Sequence, residues 1–174
     1  SSRPAPPATA VAEGGQYVTL GVDGDRYAAP VSRVREILDL RPIARLPRAP
    51  AELLGVIDVR GRSIPVVDLR CLLGLPPGLD DVQTRILVLH VGRRGDDGGG
   101  PTTVGLKADR VFEVAPLDDD ALEAPPDGGA RWRLEAVAGV ARRNGAFVTV
   151  LDLDRLLDGA ITAAADLAPS AATA

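Results

Sequence analysis

Gly55–Leu73 reads GVIDVRGRSIPVVDLRCLL, and Gly139–Leu157 reads GVARRNGAFVTVLDLDRLL. The two stretches align without a gap at an offset of 84, and eight of nineteen positions are identical. The matches are Gly55/Gly139, Val56/Val140, Gly61/Gly145, Val66/Val150, Asp68/Asp152, Leu69/Leu153, Leu72/Leu156 and Leu73/Leu157. Each has a physical job. Gly61 and Gly145 fall in a hairpin turn, where positive φ favours glycine. Asp68 and Asp152 stand where a carboxylate caps a short helix, and the leucines supply that helix's apolar face. Gly74 ends the first helix, predicted over Leu69–Leu73.

The echo continues upstream. Arg33–Ile37 (RVREI) faces Arg110–Val114 (RVFEV) at an offset of 77, and Tyr17–Val22 faces Ile86–Val91 at an offset of 69. The change of offset places insertions of eight and seven residues in the Gly-rich loop near Asp96 and in the Asp118–Ala130 stretch, both natural surface loops. The chain is therefore read as a duplicated unit of roughly seventy residues, ordered strand, strand, helix, hairpin, helix. The strands are predicted at Gln16–Val22 with a return at Arg26–Ala29, in the VIDV/SIPVVDL hairpin, and at Arg85–Val91, Thr103–Ala108, Leu134–Arg142 and Phe147–Leu151. Pro30 is read as opening a short helix with Val31, Val34 and Leu38 at helical spacing. The fold expected is mainly β with a few short helices: each half has about the content of a small β-barrel, and two such subdomains pack so that they share a core neither could bury alone. Residues 1–15 read as a flexible tail, 16–158 as the folded domain with halves at about 16–81 and 82–158, and 159–174 as a flexible Ala-rich tail that could fray as a weak helix as far as Leu167, where Pro169 would stop it.

Composition excludes whole classes of function. The chain has 174 residues, 45% hydrophobic and 25% charged, with a formal charge of −4 from 20 basic and 24 acidic residues. That balance argues against a general nucleic-acid binder, which needs a concentrated basic face. With one cysteine, Cys71, and one histidine, His90, an internal disulfide and a Cys/His zinc site are both out. No run approaches the ~18 apolar residues of a membrane helix, and no signal pattern opens the chain, so no membrane insertion is expected and the cytoplasm is the default compartment.

No constellation for catalysis stands out. Gly100–Lys107 fails as a phosphate loop, because Leu106 separates glycine from Lys107 and the stretch enters a strand. Asp118-Asp119-Asp120 lacks the alternating ligands of a calcium loop and reads as a solvated acidic turn. Capping accounts for Asp68 and Asp152. His90 has no histidine partner, and Cys71 reads as a small packed hydrophobe. No catalytic, metal or cofactor residue is expected. Arg60 is the unusual feature, since it occupies a hairpin tip where its repeat mate is Asn144. It is either an exposed arginine beside a glycine turn or a fixed guanidinium that grips a partner carboxylate or pins Glu36. Glu36, in turn, is either that partner or an exposed helix residue.

Val34–Ile37, Arg45-Leu46-Pro47 with Pro50, Gly55–Gly61 and Ile64–Arg70 closely resemble the CheW-like coupling proteins of bacterial chemosensory systems. The second half agrees through Val104-Gly105-Leu106, Asp109, Val111, Glu113-Val114, Leu151-Asp152 and Leu156-Leu157, so the resemblance covers about residues 16–158. It implies a non-enzymatic adaptor of two SH3-like five-stranded β-barrel subdomains related by internal duplication. Such a protein couples the cytoplasmic tip of chemoreceptors to the regulatory domain of the histidine kinase CheA, with other CheW-like proteins as further partners, in membrane-associated arrays. The resemblance places a receptor-binding groove between the two barrels, with Val34, Glu36, Ile37, Gly55, Val56, Arg60 and Gly61 as its residues. It also implies asparagine where this chain has Asp58; a carboxylate there would pair with Arg60 or favour a more basic receptor. Two rival readings are an adaptor of the same fold serving gene expression or surface motility, and an enzyme or small-ligand protein built on paired barrels.

Overall fold

A computed structural model describes residues 15–92, 101–118, 123 and 136–167. The expected acidic residues Asp119 and Asp120, the Gly-rich loop 93–100 and the first fourteen residues lie outside the described residues.

Among the described residues, ten strands form two five-stranded sheets. They are β1 Gln16–Val22, β2 Asp25–Pro30, β3 Val34–Asp39, β4 Leu53–Val59, β5 Arg62–Asp68, β6 Arg85–Val91, β7 Thr102–Ala108, β8 Arg110–Pro116, β9 Val137–Arg143 and β10 Ala146–Leu151. Two helices, α1 Leu69–Leu72 and α2 Leu153–Leu167, follow β5 and β10. Three hairpins turn on paired positive-φ residues, Asp23-Gly24, Arg60-Gly61 and Asn144-Gly145 (φ 52/84, 49/82 and 53/79°), the type I′ geometry that matches strand twist. Both caps form as the sequence predicts. The Asp68 carboxylate accepts the Arg70 N–H at 3.1 Å, and the Asp152 carboxylate accepts the Arg155 N–H at 3.3 Å.

Strand order carries the main result that sequence left open. One sheet runs β8-β1-β2-β10-β9 and the other β3-β6-β7-β5-β4. Each takes two strands from one half of the duplication and three from the other, and the two orders interconvert when every strand is replaced by its repeat mate. The halves meet at four pairings: two antiparallel, β1 with β8 and β3 with β6, and two parallel, with Val150 beside Ala28 and Val66 beside Gly105. Both sheets then curl. After β3, Ala44 bridges to Val56 on β4, and after β8, Glu123 bridges to Val140 on β9. Val56 and Val140 are repeat mates, so the two SH3-like subdomains close at the same point.

Three apolar clusters result. Leu38, Ile57, Val59, Ile64, Val66, Ile86 and Val88 fill the β3–β7 subdomain, and Tyr17, Ala28, Ala141, Val148 and Val150 fill its sister. The largest cluster, 22 buried residues, lies between the subdomains and draws on both halves. α2 lays Leu153, Leu156, Leu157, Ala160 and Ile161 into it, the i, i+3, i+4, i+7, i+8 stripe of an amphipathic helix.

Two expectations are corrected. The helix expected from Pro30 through Leu38 is a single 3-10 turn, Val31–Arg33, followed by strand β3. A bulge between Val34 and Glu36 resets the strand's alternation, so Val34 and Leu38 both face apolar clusters at a spacing that imitates a helix. The unit is thus strand, strand, strand, hairpin, helix. The stretch from 159 is helical to Leu167, the extent its sequence allowed, but burial of Ala160 and Ile161 in the central cluster makes its start part of the folded domain and not a tail.

Candidate functional site

Sheet β3-β6-β7-β5-β4 has β3 and β4 as its two edges, and curling brings these edges toward each other. The tip of the β4–β5 hairpin carries Arg60 across this seam. Its Nη1 donates to Glu36 Oε1 at 3.4 Å and its Nη2 donates to Glu36 Oε2, a two-pronged grip on the carboxylate. Arg60 is 74% exposed while Glu36 is 26% exposed, so the carboxylate is the anchored member and the guanidinium presents its outer edge to solvent. Glu36 belongs to a strand, not to the helix considered from sequence. The turn holds Arg60 at positive φ, which fixes the root of its side chain.

The other residues singled out from sequence distribute along the same two strands. Val34 begins β3 and packs on the inter-subdomain core, while Ile37 is exposed on β3. Val56 is half-buried on β4, at the bridge to Ala44. Gly55 is buried beneath that bridge with φ 148°, and a Cβ there would stand 2.1 Å from the Ala44 carbonyl oxygen. Its geometry is what closure demands. Gly61 supplies the second turn position in open space. Asp58 is exposed on β4, where its carbonyl accepts from Arg41 at 3.2 Å; the ion pair that Arg60 makes is to Glu36.

Sequence reading missed that the sister subdomain has its own edge-to-edge pair. Arg143 Nε donates to Glu113 Oε2 at 3.1 Å. Glu113 is the repeat mate of Glu36, and Arg143 precedes Asn144, the mate of Arg60. The ion pair is conserved between halves with the arginine moved by one residue, which a gapless alignment hides. Val114, the mate of Ile37, is 53% exposed on β8, and Phe147 is 64% exposed on β10.

Two more ion pairs are related by the repeat, with their charges interchanged. Arg70 on α1 binds Asp109 through two hydrogen bonds of 2.9 and 2.8 Å, and Asp109 also accepts the Asp23 N–H at 2.9 Å. On α2 the mate of Arg70 is Asp154, which binds Arg33 at 3.1 and 2.9 Å and accepts the Gly92 N–H at 2.9 Å. Burial alone would push the Asp109 carboxyl up. The Arg70 hydrogen bond, the Asp23 N–H and the charges of Arg70 and Lys107 bring it below its ordinary value.

Lys107 stands on β7 and pairs with Asp80, which settles the failed phosphate loop as a strand. His90 is held below its usual pKa by burial and by the nearby Arg35 and Arg62 charges. Among the described residues, no group of three or more His, Cys, Asp or Glu is placed to hold a metal ion, and no helix is long and apolar enough to cross a membrane.

The family model for the CheW-like domain matches residues 16–160. Similar proteins include Chemotaxis protein CheW of Rhizobium meliloti (strain 1021), 28% identical over 141 residues and covering 81% of this chain and 86% of the relative. Chemotaxis protein CheW of Bacillus subtilis (strain 168) is 25% identical over 145 residues, 83% of this chain and 88% of that one. Protein FrzA of Myxococcus xanthus is 28% identical over 147 residues, 83% and 86% of the two chains. The crystal structure of scaffolding protein TtCheW from Thermoanaerobacter tengcongensis matches with a TM-score of 0.70 at 25% identity, covering 82% of this chain and 87% of that chain.

Proposed function

The chain belongs to the CheW-like domain family, and from that premise we propose that it is a non-enzymatic adaptor coupling the cytoplasmic tip of a chemoreceptor to the regulatory domain of the histidine kinase CheA. The observation that carries this reading is the Arg60–Glu36 pair across the seam between β3 and β4. It is a rigidly seated, outward-facing guanidinium flanked by exposed Ile37 and half-buried Val34 and Val56. A helical receptor hairpin offers apolar anchors and rim charges to such a surface. Apolar contact with Val34, Ile37 and Val56 supplies most of the binding, while Arg60 sets orientation and register. Gly55 and Gly61 shape the surface through closure and turn. Single contacts are expected at roughly micromolar strength, about −8 kcal/mol, with avidity in a lattice raising the effective affinity. On this reading the protein works in the cytoplasm, is recruited to membrane-associated receptor arrays, and meets further CheW-like proteins there.

The test is reconstitution of kinase and receptor fragment with and without the chain. Receptor-dependent kinase activity should require it. Arg60→Ala and Glu36→Ala should weaken receptor binding about tenfold, or about 1.4 kcal/mol. An exposed ion pair contributes only about 0–1 kcal/mol to stability, so melting should barely move. Full receptor-dependent activation by Arg60→Ala would show that the site lies elsewhere.

A further inference from the structure

The open end of the β3–β7 subdomain holds more positive charge than its ion pair consumes. The apolar residues filling this subdomain include Leu38, Ile64, Val66, Ile86 and Val88. Toward one end the same strand faces continue as Glu36 on β3, Arg62 on β5 and His90 on β6. A cleft of about 330 Å³ opens there, lined from all five strands, with Arg35, Glu36, Arg60 and Arg62 at its rim and Thr103 and Val88 within. Glu36 is occupied by Arg60. Among the described residues, neither the Arg35 nor the Arg62 side chain has a hydrogen bond or an ion pair. On a chain of net charge −4, this is a local concentration of unmatched guanidinium groups.

The sister subdomain arranges the corresponding end differently. There the mate of Arg35 is Phe112, whose ring lies so close over Gly21 that a Cβ would be 2.9 Å from it, and the mate of Arg62 is Ala146. In the sister subdomain Arg26 and Arg110 lie over that ring, at 4.2 and 5.9 Å from its centroid; among the described residues, the Arg35 and Arg62 side chains have no such partner.

We propose that this cleft receives an acidic side chain of the docked partner. A helix seated along the β3–β4 seam places an aspartate or glutamate opposite Arg35 and Arg62, beside the Arg60–Glu36 pair. The proposal rests on the seam being the receptor-docking site and specifies the chemistry of the segment that fits it. A peptide carboxylate is favoured because Arg35 and Glu36 stand between Val34 and Ile37 on β3, two of the apolar anchors a helix would use, and because two planar guanidinium groups match carboxylate geometry.

The test is titration of the full chain with a soluble receptor hairpin fragment from its own source, at about 50 and about 300 mM salt, where screening of exposed charges differs strongly. Arg35→Ala with Arg62→Ala should lower affinity at least about tenfold at low salt and flatten the salt dependence. Arg35→Lys with Arg62→Lys should keep that dependence, and Ile37→Ala should weaken binding by the same factor at both salts. His90, the single histidine, gives a second readout: hairpin binding should raise its pKa as a carboxylate enters between the arginines. If the unmodified chain binds no hairpin, the docking reading falls and this inference with it. If it binds but the double alanine variant keeps full affinity and salt dependence, or the His90 pKa falls on binding, this inference alone is overturned.

Discussion

Asp68 and Asp109 influence each other's charge, yet the fold shifts them in opposite directions. Burial raises the Asp68 carboxyl above its ordinary 3.8, outweighing the help of Lys107 and of the Arg70 N–H and charge, while Asp109 adds to the rise. The native state therefore holds the Asp68 proton more tightly than the unfolded chain does. Its contribution to stability is full below pH 3.8 and is lost as pH rises through the raised value. Asp109 is lowered, so its contribution is present above pH 3.8 and is lost as pH falls through its native value. The cap and the charge at Asp68 can be separated. Asp68→Ala should cost about 1 kcal/mol through the lost cap, while Asp68→Asn keeps the cap and should melt at or above the unmodified protein at pH 7. Thermal melts at pH 7 and pH 3 check this, and any advantage of asparagine should shrink at the lower pH.

At the scale of elements, closure and the helix-to-strand ion pairs make the sharpest demands. Gly55 lies where positive φ coincides with contact against the Ala44 carbonyl. Gly55→Ala should therefore lose more than about 1 kcal/mol, seen as a lowered denaturant midpoint, whereas Gly61→Asn, at a turn position in open space, should be tolerated. The charge-interchanged pairs allow a different experiment. In one half the helix carries Arg70 and the strand start carries Asp109; in the other the helix carries Asp154 and its partner is Arg33. Ser32 is the mate of Asp109 and Arg33 the mate of Arg110. Arg70→Asp alone leaves two carboxylates facing each other and should be strongly destabilising. Adding Asp109→Ser recreates the second half's pattern, with Arg110 placed as Arg33 is. The double variant should recover about 1–3 kcal/mol of the loss by chemical denaturation.

Across the whole molecule, strand exchange makes the two halves interdependent. Residues 16–81 contribute β1 and β2 to one sheet and β3–β5 to the other, so on their own they would leave both sheets incomplete. They also hold nine of the 22 residues of the central cluster. Expressed separately, residues 16–81 and 82–167 should each lack a cooperative unfolding transition, and mixing them should restore one, followed by circular dichroism. A half that folds alone would mean that strand pairing within a half competes with the exchanged arrangement.

The sequence by itself determined the duplication, the hairpins and the capped helices, because their causes act over a few residues: a glycine permitting positive φ, a carboxylate accepting the first free N–H groups, leucines one turn apart. It also marked Arg60 as a residue out of place for its turn. Its reading went astray at Val34–Leu38, where a bulge gave strand residues a helical spacing. The rest depended on what folding brings together. Arg60 reaches Glu36 across 24 residues and Arg33 reaches Asp154 across 121. Which half donates which strand, which edge meets which, and whether an arginine at a subdomain's end lies over a phenylalanine ring or stands without a partner follow from tertiary register. A two-residue periodicity states only that a side chain faces in or out, and says nothing about what it will face.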